Sequence, residues 1–118
     1  MAASNPLSDP RWKIARSFPR FATDLPVQLE VPGSGERLAG RMVDIGLGGA
    51  CIVLEQSALP PRQKVILEFR FPMSLAPLRL RATLRHSHHA DHYGFQFVEV
   101  QGEEREKIRR ACAGLRIV

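Results

Sequence analysis

The chain has 118 residues, 44% of them hydrophobic and 25% charged, with a net charge of +5. That suffices for one globular domain that buries roughly two thirds of its chain surface, and leaves no room for a second. No apolar stretch approaches the ~18 residues of a membrane span, and the opening MAASNPLSDPRWK lacks the apolar centre of a secretory signal, so a cytoplasmic protein is expected.

Residues 1–15 read as a flexible arm, broken by Pro6 and Pro10, ahead of a domain spanning 16–118. From Arg11 to Arg20 the chain carries Arg11, Lys13, Arg16 and Arg20 with no acid between them, and a second basic group follows at Arg70, Arg79, Arg81 and Arg85. Basic residues concentrated in this way point to an anionic partner. In VQLEV, Val27, Leu29 and Val31 face one way and Gln28 and Glu30 the other, the period of a half-buried strand. The turn cluster PGSGE then leads to RLAGRMVDI, so the first two strands are expected to form a hairpin.

DIGLGG, from Asp44 to Gly49, places three glycines between that strand and the next, ACIVLE. A phosphate-binding glycine loop must open a helix, and this one opens a strand without GxGxxG spacing or a Lys-Ser/Thr ending, so both nucleotide-loop readings fall away. Taken alone, the stretch reads as a tight connection or bulge in which glycine supplies positive φ, with Asp44 as a turn cap. SALPPRQ is a loop. KVILEFRF alternates Val65, Leu67 and Phe69 against Ile66, Glu68 and Arg70, and LRLRATLRH alternates Leu78, Leu80, Ala82 and Leu84 against Arg79, Arg81, Thr83 and Arg85. HYGFQFVEV supplies a sixth strand, and GEEREKIRRACAGLRIV a terminal helix with acids first, arginines last and an apolar stripe of Ile108, Ala111, Cys112 and Leu115. Six antiparallel strands and one C-terminal α-helix suggest a closed barrel, because closure removes exposed edges.

Neither Cys51 nor Cys112 has a cysteine or histidine partner at metal spacing, and Cys51 reads as a buried thiol. His86, His88, His89 and His92 cluster within seven residues, but only Asp91 accompanies them, so a solvated hairpin turn is expected and no metal site. No nucleophile stands beside a base, and no catalytic residue is expected.

Arg16 and Arg20 in ARSFPRF form an RxxxR ahead of the first strand, and Asp44, twenty-four residues after Arg20, opens a D/NxSxxG-like run between the second and third strands. In that order, and with Gly94 and Phe97 of YGFQF similar to a Gly-x-x-Phe sixth strand, the chain resembles the PilZ domain family from about Arg16 to the terminal helix. The resemblance implies binding of the bacterial second messenger cyclic di-GMP, with no other cofactor. Arg16 and Arg20 would address guanine, whose O6 and N7 acceptors match an arginine fork, and would screen the phosphates. Asp44 would accept from N1–H and N2–H₂ of guanine, and Gly49 would allow close approach. Gly46 stands where the family motif has serine, and with it goes a hydroxyl worth ~0.5–1.5 kcal/mol. Lys13 and either Arg85 or His86 are further candidate ligand contacts, with Trp12 as an anchor for the arm. The segment up to Arg20 is expected to be mobile until ligand folds it over the barrel, changing the surface offered to a downstream protein that the sequence does not identify. Two other readings remain: a PilZ-fold adaptor that has lost ligand binding through Gly46, and, less favoured because outward aromatics are few, a barrel for single-stranded nucleic acid.

Overall fold

The computed structural model describes residues 19–118 apart from 56–58 and 90. The expected arm with Lys13, and Arg16 at the start of the expected domain, lie outside the described residues.

The strands are β1 (Phe21–Val31), β2 (Glu36–Ile45), β3 (Gly49–Val53), β4 (Lys64–Phe69), β5 (Leu78–His88) and β6 (His92–Val98), followed by helix α1 (Gly102–Cys112). They form a closed antiparallel barrel in the order β1-β2-β3-β6-β5-β4, so no edge strand is left exposed. Alternation decides which side chains fill it. Leu29, Met42, Ile45, Ala50, Ile52 and Leu67 are fully buried, and Phe95 all but fully, whereas Gln28, Arg41, Gln96 and Arg81 point outward between them. Gly33 and Gly35 turn the β1–β2 hairpin with φ of 93° and 75°, the left-handed region in which glycine carries no steric penalty.

β1 begins six residues before the VQLEV alternation. Pro26 interrupts the sequence pattern but not the strand, because β1 pairs with β4 only at Gln28–Glu30 and the missing Pro26 N–H has no partner to disappoint there. A register shift between Ala22 and Leu25 further breaks the period of two.

Helix α1 closes one end of the barrel. Ile108 and Cys112 enter the core, and the Cys112 thiol lies 3.9 Å from the Ile45 carbonyl, its pKa pushed up by burial. At the start of α1 the Gln101 N–H donates to the Glu104 carboxylate at 3.0 Å, satisfying a donor that the helix cannot. Beyond α1 the chain returns along β1: the Ala22 N–H donates to Arg116 O at 2.7 Å and the Val118 N–H to Arg20 O at 2.9 Å. The end of the barrel where β1 begins and β2 finishes is thereby tied to the helix. Cys51 is buried as expected, and neither cysteine forms a disulfide.

Candidate functional site

Arg20 immediately precedes β1, and Asp44 is the penultimate residue of β2. Because Ala22 pairs with Asp44 in the antiparallel register, the two side chains meet, and Arg20 Nη1 donates to Asp44 Oδ1 at 2.8 Å. Their side chains are 13% and 14% exposed, so this pair is far less screened than the other ion pairs of the barrel wall. A guanidinium has five N–H donors and a carboxylate about four acceptor positions, and a single contact uses only part of each.

The glycines of DIGLGG make room for this arginine. A Cβ on Gly46 would run into the Pro19 carbonyl oxygen and come within 3.2 Å of Arg20 Cδ; one on Gly49 would run into the Phe95 carbonyl oxygen and come within 3.1 Å of Arg20 Nη2. None of the glycines at 46, 48 and 49 has positive φ, which corrects the expectation drawn from the stretch alone. Their role is close approach of backbones. The Gly46 N–H donates to Gly49 O at 2.8 Å and the Phe97 N–H to Gly48 O at 2.9 Å, fastening the β2–β3 connection to β6. At Gly46, where the serine of the motif is missing, the Pro19 carbonyl takes the space of a side chain.

An outward row runs across the wall from this pair. Asp44 pairs with Cys51, Cys51 with Gly94, and Gly94 with His86, joining β2, β3, β6 and β5. Adjacent strands are ~4.8 Å apart, which places the Asp44 and His86 backbones roughly 14 Å from one another. The His86 imidazole is folded onto the open face of Gly94, where a Cβ would meet its ring carbon and both ring nitrogens. A cation–carboxylate pair thus stands at one end of the row and a planar ring at the other, with only Cys51 and Gly94 between.

Of the sequence candidates, the structure brings together Arg20, Asp44, Gly46 and Gly49 and adds His86 at the far end of their row. Arg85 lies at the register shift between Leu84 and His86, exposed. The remaining histidines belong to the β5–β6 hairpin: His92 Nδ1 is 2.8 Å from Asp91 Oδ1, a hydrogen bond that holds the Asp91 carboxyl below the usual carboxylate range. Among the described residues no group of three or more His, Cys, Asp or Glu side chains is arranged to hold a metal ion. Sequence reasoning missed the Pro19 carbonyl and the pairing of the C-terminal residues with Arg20, both backbone contacts without a side-chain signal. It also missed the fit of His86 on Gly94, although YGFQF marked the glycine.

Several solved structures share the fold. The Bacillus subtilis inhibitor of motility, MotI/DgrA, matches 83% of this chain with a TM-score of 0.71 at 17% identity, and the chain spans about half of that protein, 49% of its length. The PilZ domain of YcgR from Escherichia coli, solved with c-di-GMP, matches 85% of this chain and 90% of its own with a TM-score of 0.68 at 17% identity. The PilZ domain of CeSA from a cellulose synthesizing bacterium matches 80% and 95% of the two chains with a TM-score of 0.64, also at 17% identity. Among curated protein sequences none matches the chain. The sequence model of the PilZ domain matches residues 15–114, a span that takes in the whole barrel, all of α1 and the Arg20–Asp44 pair, and the chain therefore belongs to the PilZ domain family.

Proposed function

We propose that this protein is a bacterial, cytoplasmic receptor for cyclic di-GMP that acts as an adaptor, passing ligand capture to a downstream protein. The observation that carries the reading is the Arg20–Asp44 pair, 2.8 Å long, laid over Gly46 and Gly49. It sets arginine donors beside carboxylate acceptors, the two complements that the edges of guanine require. On binding, the Arg20 fork turns to O6 and N7 of one guanine, and Asp44 accepts from N1–H and N2–H₂ of a purine. The pair exchanges one charge-assisted contact for others of the same kind, so the cost of opening it is largely returned. Lys13 and Arg16, ahead of Arg20 in the chain, close over the phosphates, while His86, and beside it Arg85, offer a planar surface at the far end of the row. The protein has no catalytic role in this account. The c-di-GMP held by the PilZ domain of YcgR, whose fold is shared, supports the same ligand here.

One observation favours the second reading, a PilZ-fold adaptor without ligand. The Pro19 carbonyl fills the position that the motif gives to a serine side chain, and Asp44 is already paired with Arg20. Titration of cyclic di-GMP into the isotopically labelled protein, followed in backbone amide spectra, separates the two. Receptor function requires shifts at Arg20, Asp44 and Gly46 to Gly49; spectra unchanged at millimolar ligand leave the adaptor.

A further inference from the structure

A second surface lies on the opposite wall of the barrel, where β4 and β5 face away from β2 and β3. There the outward residues of β4, β5 and the end of β6 floor a groove of about 800 Å³. Ile66, Thr83 and Val98 form its floor, and Arg62, Lys64 and Arg81 stand along it. The one acid among its described lining residues, Glu99, is already held by Arg81 at 3.0 Å. Arg62 and Lys64 have no acidic partner within ion-pair distance among the described residues, so the groove carries uncompensated positive charge over an aliphatic base.

The backbone marks the same place. Among the described residues four non-glycines have positive φ, and two of them, Arg62 at 63° and Glu99 at 56°, line this groove. L side chains rarely adopt that region, and such conformations persist where the surrounding structure enforces them, often at binding surfaces. The second basic group of the sequence divides accordingly. Arg79 is tied to Glu68 at 2.8 Å and Glu30 at 3.4 Å on the barrel wall, while Arg81 belongs to the groove.

We infer that this groove docks an extended acidic segment of a partner protein, in which Asp or Glu alternates with aliphatic residues. An extended peptide presents successive side chains to opposite sides, so every second residue can reach Ile66 and Val98 while the acids between them turn to Arg62 and Lys64. The charge supplies orientation and a fast encounter. Nucleic acid fits less well, because among the described residues no aromatic side chain lines the groove to stack on a base. The groove shares β5 with the far end of the Arg20–Asp44 row, but none of its lining residues belongs to that row, and the docking proposed here does not depend on cyclic di-GMP.

The test is fluorescence anisotropy of a labelled peptide of alternating Glu and Val, titrated with the full chain. A Lys–Val peptide and an oligothymidine of equal length serve as comparisons. The acidic peptide is expected to saturate, to shift the amides of Ile66, Thr83 and Val98, and to bind at least about tenfold more weakly to the Arg62→Glu/Lys64→Glu variant. It is expected to bind Arg20→Ala normally. Melting curves confirm that the charge-reversed protein is folded, and Lys64→Ala supplies a milder variant with an intermediate loss. Failure of the acidic peptide to bind, equal binding by the charge-reversed protein, or equal or tighter binding of the oligothymidine overturns the proposal. So does sedimentation showing that two copies of the chain associate through this face.

Discussion

Arg20 Nη1 lies 2.8 Å from Asp44 Oδ1, joining the residue before β1 to the end of β2 across a hairpin. Removing either partner leaves a mostly buried charge without its complement. Arg20→Ala and Asp44→Ala are each expected to lower stability by about 1–3 kcal/mol. The double variant should lose less than the two single losses combined, since the second truncation removes a charge already unpaired. A double-mutant cycle in urea unfolding measures this, and additive losses would show that the contact is not a coupled pair.

Gly46→Ser restores the residue of the family motif, yet the structure reverses what the sequence suggests it will do. The new Cβ meets the Pro19 carbonyl, so the chain ahead of β1 must move and Arg20 with it. Stability should fall by about 1–3 kcal/mol, with no gain in affinity for cyclic di-GMP. Gly49→Ala should cost at least as much, because there the obstacle is the Phe95 carbonyl of the paired strand. Thermal melts rank the two, and a Gly46→Ser protein that is stable and binds more tightly would contradict the packing described.

Gly94→Ala acts on a side chain instead of a backbone. The added methyl displaces the His86 imidazole, an exposed side chain and not a backbone carbonyl, so stability should change by less than about 1 kcal/mol. Amide spectra should move at His86 and Cys51 and leave Arg20 unaffected. A loss as large as that of Gly49→Ala would mean that the ring is held as part of the wall.

The pH response of α1 is a separate matter. The hydrogen bond from Arg109, aided by Arg110, lowers the Glu106 carboxyl from its ordinary 4.5 to about 2. A carboxyl depressed in the folded state contributes stability above its unfolded value, and that contribution disappears as pH falls from about 4.5 toward 2. Glu106→Gln should therefore melt below the parent at pH 6 and with it near pH 2. A gap that persists to the acid end would assign the effect to something other than ionisation.

The barrel was legible because Val65, Leu67 and Phe69, and Leu78 through Leu84, keep a strict period of two over a single core. β1 was half hidden, since Pro26 and the irregularity before Leu25 break that period where no β4 ladder enforces it. Arg20 and Asp44 could be paired in advance only through the family motif; their contact depends on strand register, which alternation alone does not define. DIGLGG was legible as a tight connection between strands, but which backbones its glycines admit was not. Gly46 and Gly49 are required by the carbonyls of Pro19 and Phe95, one immediately before Arg20 and the other forty-six residues beyond Gly49, and backbone approach leaves no trace in either neighbour's side chain.

Calorimetric titration of cyclic di-GMP into the full chain, beside Arg20→Ala, tests the central claim most directly. The account predicts saturable binding by the parent and affinity weakened by about tenfold to a hundredfold in a folded Arg20→Ala protein, the value of a bidentate arginine–guanine contact. No heat from a well-folded parent at high ligand concentration, or equal affinity in the two proteins, would contradict it.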